Sequence, residues 1–386
     1  MMKNIFQCLL LSAGIVFCVR EKSFSQTGND TATVLKKFSF GLYNFNYLRD
    51  YEYFSPIEEG YTLCGAIVNP TLQYNASKHV SFIGGVLLQN NFGDDSLRVR
   101  PTFLLKLENK TTEFNFGNYR NEGYDLIEPL YFADNLVTEN IDNGFLMRQY
   151  FRHITIIQWL DWERAIKKGS DFQEQVWGGA TVNIRPLRKY FKALQFPLQA
   201  YVQHTGGQIN IPDTSFYVKT ILNAAAGIKS ESYENPKLFS QVGAEAYYAW
   251  YKNFSPSFSD EFNNGNGIWA SAYLRLHLDY NQKNLNSLKF ILSYWQGTDF
   301  ISPKGNPLMQ SISSVYPESD YTEPKRNLLL LALKYENEID KKLELELSFE
   351  PYYDLNNKLL EYGIHLQTKF PINSSKYWRL HWDSRF

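Results

Sequence analysis

The sequence predicts an all-β chain closed into an antiparallel transmembrane barrel of about 16–18 strands. Three observations predict it. Polar and apolar residues alternate over runs of about ten residues, the length of a tilted strand crossing a bilayer. Aromatics make up 16% of the 386 residues (Tyr 27, Phe 28, Trp 8) and crowd toward the ends of those runs. Beyond the N-terminal stretch, no apolar run is long enough to span a membrane as a helix.

Composition narrows the partners. Lys and Arg number 39 and Asp and Glu 40, a net charge of -1. Nucleic-acid binding needs a basic stripe to displace counterions, so no nucleic-acid partner is expected. Apolar residues at 44% and charged ones at 20% exclude a disordered polymer.

The chain opens MMKNIFQCLLLSAGIVFCVREKSFSQ, with Lys3 ahead of an apolar stretch from Ile5 to Val19 and small residues at Ser23 and Ser25. This is the layout of a secretory signal peptide. It sets the expected division at 1–26 for the signal and 27–386 for the barrel. Cys18 follows Phe17, where lipidation would need a small residue. Loss of Cys8 and Cys18 with the signal leaves Cys64 alone, so no intramolecular disulfide is expected.

In chain order the alternation marks strands at 38–49, 61–75, 79–90, 97–108, 111–119, 143–150, 153–163, 172–184, 193–204, 215–228, 237–251, 267–280, 286–296, 326–338, 341–352, 358–370 and 376–386. The clearest is 97–108. Leu97, Val99, Pro101, Phe103, Leu105 and Leu107 oppose Arg98, Arg100, Thr102, Lys106 and Glu108, with Leu104 as the exception. Near the end, Leu343, Leu345, Leu347 and Phe349 oppose Glu344, Glu346, Ser348 and Glu350. Barrels of this kind have an even strand number. Adding a weak strand at 307–316 gives about eighteen, the favoured count; merging 143–163 gives about sixteen. The connection 117–144 is expected outside the cell or folded into the lumen, as is 252–266. Short turns at 75–78 and 281–283 should face the periplasm. Backbone groups in lipid have no water to pair with, so the sheet must close. Apolar faces then look out to lipid and charged faces look in.

The last residues, KYWRLHWDSRF, place Phe386, Ser384, Trp382, Leu380 and Trp378 on alternate positions. This resembles the C-terminal assembly signal of bacterial outer-membrane β-barrels, with Ser384 departing from the usual apolar residue. The resemblance implies an outer-membrane location, outer-membrane lipid as surroundings, and the barrel assembly machinery as a partner that reads Phe386. The Ser-Phe-Ser-Gln end of the signal and the aromatic-rich strands are similar to porin-like outer-membrane proteins of the Bacteroidota.

Candidate lumen-lining residues are Arg98, Arg100 and Lys106 on one strand and Glu113 on the next. Asp161 and Glu163 share a face with Trp159, Arg275 and Asp279 lie on a later strand, and Glu344, Glu346, Glu361, Arg379 and Arg385 lie toward the C-terminus. Charged walls can set a pore's ion preference. The plainer alternative is that they pair across strands and wet the interior. Trp159, Asp161 and Glu163 suit a sugar patch or an acid/base pair, or an aromatic rim with solvated carboxylates. The six His show no metal spacing, and no nucleophile elbow, phosphate loop or dinucleotide fingerprint occurs, so no metal or cofactor is expected. The expected function is passive or facilitated passage of small polar solutes. The alternative is a barrel enzyme or surface-binding protein with an occluded lumen, and lumen geometry separates the two.

Overall fold

The computed structural model describes residues 37–186, 194–206, 218–232, 239–255, 261–278, 286–314, 320–339 and 343–373. Sixteen strands form one closed antiparallel ring. They are β1 (Phe38–Glu52), β2 (Tyr61–Asn75), β3 (Val80–Asn91), β4 (Leu97–Glu108), β5 (Thr112–Arg120), β6 (Ile141–Tyr150), β7 (Ile154–Arg164) and β8 (Glu174–Ile184). β9 (Leu194–Gly206), β10 (Lys219–Ser232), β11 (Phe239–Asn253), β12 (Asn264–His277), β13 (Asn286–Thr298), β14 (Lys325–Ile339), β15 (Leu343–Asp354) and β16 (Leu359–Asn373) complete the ring.

Closure runs through β1 and β16, in register from Gly41↔Asn373 to Glu52↔Tyr362. Both edges of the ring are thereby paired, as a backbone in hydrocarbon requires. The count is sixteen rather than the favoured eighteen. The segment expected as a strand at 307–316 instead holds a 3-10 turn, Pro307–Met309, because Pro307 lacks a ladder donor and Asn306 caps the Leu308 N–H. The expected strand 376–386, with Arg379, Arg385 and Phe386, lies outside the described residues; the ring is complete without it.

Side chains alternate as a two-faced sheet in lipid demands. On β4, Leu97, Val99 and Phe103 are each more than half exposed on the outer face. Elsewhere Leu292, Leu347, Phe349, Leu360 and Ile364 are exposed on the same belt. Connections at the end holding the start of β1 and the end of β16 are short, as at 76–79, 109–111 and 151–153; those at the opposite end include 121–140 and 299–324. Short turns mark the periplasmic end of such barrels and long loops the extracellular end.

One expectation is corrected. The interior is not only ionic, since inward-facing aromatics fill its extracellular half. Of the aromatics crowded toward strand ends, Tyr247, Tyr251 and Trp295 are buried inside, while Tyr248 and Trp250 are exposed on the lipid side. The period of two sends adjacent aromatics to opposite faces, so a cluster in sequence is not a cluster in space.

Candidate functional site

The two long connections fold into the barrel. Residues 121–140 carry a short helix, α1 (Asn135–Thr138), and with 299–324 they meet in one packed cluster. Leu126, Ile127, Leu130 and Phe132 from the first loop and Phe300, Ile301, Leu308 and Met309 from the second pack against Tyr51, Trp159, Trp177, Tyr201, Trp269 and Trp295 of the wall. Tyr131 stacks on Trp177 at 5.8 Å and Tyr124 lies 4.5 Å from Trp159. Each buried large apolar side chain contributes about 1.5–3 kcal/mol. Beside this cluster, a void of about 10 Å³ lined by Tyr43, Phe45, Ile67, Leu87, Arg120 and Leu136 is the size of one water probe.

A loop buried this way must satisfy its own backbone. Wall side chains do so. Gln199 accepts from the Ile127 N–H at 3.0 Å and donates to the Asp125 carbonyl at 2.8 Å. Asn223 donates to the Ile301 carbonyl at 2.7 Å, and the Trp295 indole N–H to the Met309 carbonyl at 3.0 Å. In the separate β1–β2 connection, 53–60, Glu361 accepts from the backbone N–H groups of Phe54 and Ser55 at 3.1 and 2.8 Å.

Ionic anchors add to these. Asp134, the N-cap of α1, does not cap the helix with its side chain. Its carboxylate instead accepts from Arg49 at 2.5 Å, Tyr51 at 2.6 Å and Tyr61 at 2.7 Å, tying the first loop to β1 and β2. Arg326, with no exposed surface, donates twice to the Leu308 carbonyl and pairs with Asp354 at 2.7 Å and Glu323 at 2.5 Å. Lys304 pairs with Glu139 at 2.5 Å and with Glu163 of β7. Burial alone would push the Lys304 amine down, but the two glutamates outweigh it and the net shift is upward. At Glu122 burial pushes the carboxyl up; Lys369 and Arg120 overcome this and hold it below its ordinary value.

The candidate residues fall into three places. Arg100, Asp161 and Glu163 come together in the extracellular half: Arg100 donates to Asn143, Asp161 accepts from the Asn143 N–H at 2.5 Å and the Trp177 indole at 3.1 Å, and Glu163 holds Lys304. Arg98 is exposed at the rim above Arg100. In the periplasmic half, Lys106 pairs with Glu108 at 2.9 Å, Glu113 with Arg148 at 3.6 Å and Arg275 with Glu336 at 3.0 Å. Glu344 and Glu346 face Lys369 and Gln367 across the β15–β16 ladder. Glu361 holds the β1–β2 connection through Phe54 and Ser55. Asp279, Arg379 and Arg385 lie outside the described residues. The anchors Arg49, Asp134, Lys304 and Arg326 were missed because each gains meaning only from a contact outside its own strand or loop, at separations from 28 residues for Arg326–Asp354 to 165 for Lys304–Glu139; the nearest sequence signal was the length of 117–144. Among the described residues no group of His, Cys, Asp and Glu could hold a metal ion.

A family model described as Lipid A 3'-O-deacylase-type matches residues 30–378. The chain belongs to the Lipid A 3'-O-deacylase-type family. No curated protein matches it. The family chain resembles a loop L8 deletion variant of OmpT, an outer membrane protein of Vibrio cholerae, with TM-score 0.53, 10% identity, 87% of this chain and 99% of that one covered. OmpT expressed in the outer membrane of Vibrio cholerae matches with TM-score 0.51, 10% identity and coverages of 88% and 99%. OprD of Pseudomonas aeruginosa matches at TM-score 0.44, 13% identity and coverages of 88% and 94%. At 10% identity the two OmpT likenesses show a shared fold only. Together with the family they place this Lipid A 3'-O-deacylase-type barrel in the bacterial outer membrane.

Proposed function

We propose that this barrel acts on outer-leaflet lipid as an acyl-ester hydrolase and is not an open diffusion pore. The filled extracellular half of the lumen carries the reading. Leu130, Phe300, Leu308, Met309 and Trp295 have no exposed surface where a solute path would run. The family name supports lipid as the substrate class, and a closed lumen leaves the bilayer-facing wall as the working surface. Outer-membrane lipid and the barrel assembly machinery remain the proposed partners. Small polar solutes would be handled only if the two loops were released, and the mixed charges of the periplasmic half favour that second reading.

One preparation tests both. Refolded protein, its fold verified by heat-modifiable mobility, is reconstituted with a phosphorylated, acylated disaccharide lipid, and released fatty acid is measured by mass spectrometry. The same protein is placed in planar bilayers. Fatty-acid release with electrically silent bilayers is expected. Steady conductance steps without release would return the protein to the solute-channel reading.

A further inference from the structure

The barrel wall is incomplete on one side. β4 pairs with β5 only from Leu104↔Gly117 to Glu108↔Glu113, five residue pairs, whereas β1 and β16 share twelve. Above Leu104, toward the extracellular end, Leu97–Phe103 keeps its β3 partner but meets no strand on the β5 side. On the other flank, β6 pairs with β7 only as far as Gly144↔Asp161. The upper β5–β6 hairpin stays paired to itself, Gly117↔Gly144 through Arg120↔Ile141, and leaves both neighbours.

It leaves inward. Arg120 places its guanidinium 3.2 Å from the centre of the Tyr43 ring on β1, and Ile141 packs with Tyr43, Phe45, Ile67 and Leu87 on the inner faces of β1 to β3. Two glycines permit the bend. Gly117 has φ +123°, and a Cβ there would lie 2.2 Å from the Phe103 carbonyl oxygen; a Cβ on Gly144, at φ +155°, would lie 2.2 Å from that of Leu160. The result is a lateral notch between β4 and β7.

Residues of the notch are chosen for such an edge. Asn118 accepts from the Phe103 N–H at 2.8 Å, replacing the missing ladder bond. Two residues on, where the same side of β4 would present another donor, stands Pro101, which has none. Asp161 takes the Asn143 N–H, and the Asn143 amide reaches the Trp162 carbonyl at 3.4 Å. Arg100 crosses the notch to Asn143 and to the Ile141 carbonyl. An open sheet edge facing hydrocarbon is costly, so these groups mark a place where polar matter meets the membrane.

We infer that this notch is the lateral docking site at which an outer-leaflet lipid bearing a phosphorylated headgroup is held against the bilayer-facing wall, a reading that rests on lipid being the substrate. Charge and polarity select that occupant. Exposed Val99, Phe103 and Trp162 offer apolar flanks to acyl chains. Arg98 and Arg100 lie on β4 and exposed Arg164, Lys167 and Lys168 on and after β7, so each flank carries basic side chains at the extracellular end, with the acids Asp94, Asp95 and Asp171 on the neighbouring turns. Guanidinium groups bind phosphate oxygens bidentately.

The test uses the full-length barrel in phosphatidylethanolamine vesicles carrying a minor fraction of the phosphorylated disaccharide lipid. A photoreactive side chain is placed at Val99, or at Ile268 on the outer face of β12 as the control. Val99 is expected to capture the phosphorylated lipid several-fold over its share of the bilayer and Ile268 to capture it in proportion. Arg98→Glu, at an exposed position that leaves folding intact, should abolish the enrichment. Proportional capture at both positions, or enrichment indifferent to Arg98→Glu, would overturn the notch. Fatty-acid release with proportional capture would sink the notch and keep the hydrolase; enriched capture with no release would keep the notch and sink the hydrolase.

Discussion

Replacing Asp134 by Ala removes three hydrogen bonds that hold the first lumen loop to the wall, from Arg49, Tyr51 and Tyr61. Both members of the Asp134–Arg49 pair are buried, at 5% and 6% exposure. Breaking such a pair strands an uncompensated charge and costs about 3–5 kcal/mol. At ~1.4 kcal/mol per factor of ten, loop opening should rise from roughly 10²-fold to a few thousandfold. Hydrogen exchange read by mass spectrometry on peptides from 121–140 measures that opening directly. Protection should fall by that factor there and remain unchanged on β10 to β13, which make none of these contacts. The double variant Arg49→Met, Asp134→Leu, which removes both charges together, should recover most of the protection. If Asp134→Ala leaves the loop as protected as the wild type, the ionic anchor does not hold the plug and the account of a fastened lumen is wrong.

Further predictions concern the second loop, pH and the notch. Arg326→Ala strands fully buried Asp354 and frees the Leu308 carbonyl, so the thermal midpoint should drop by an amount matching about 3–5 kcal/mol; an unchanged midpoint would show that 299–324 is held by packing alone. Glu128, in the first loop, has its carboxyl raised by burial to about 7, against 4.5 ordinarily. A raised acid binds more protons folded than unfolded, so its contribution is full below the ordinary value and is lost as pH rises to about 7. Exchange of 121–140 should therefore quicken between those pH values, and Glu128→Gln should flatten the profile; a slope of the opposite sign would refute the assignment. Gly117→Val puts a side chain against the Phe103 carbonyl at a backbone angle it resists, costing more than ~1 kcal/mol. Less folded barrel should appear by heat-modifiable mobility, while Gly84→Val, which meets open space outside the wall, should fold normally.

The strand pattern was legible because a bilayer imposes it. Half of each strand must be apolar and the backbone must pair with itself, so β4 shows its two faces in Leu97–Glu108 without any knowledge of its neighbours. That same alternation assigned Arg100, Asp161, Glu163 and Trp159 to the faces of their strands opposite the expected lipid side. It could not place Trp295 or Tyr247 inside a packed plug, since alternation states which face a residue takes and not what fills the space beyond it. The count of sixteen lies at the lower end of the expected range, and 307–316 adds no strand because one proline and one capping asparagine outweigh a short apolar run.

By itself, the sequence determined that this chain closes into an outer-membrane barrel with lipid-facing apolar stripes, because solvent on each face dictates residue type at a period of two. Whether the lumen is open, and where the wall is breached, was decided only by tertiary structure. Those features depend on contacts such as Arg49 to Asp134 and on two glycines that let a paired hairpin leave its neighbours, and pairings across such spans leave no periodic trace along the chain.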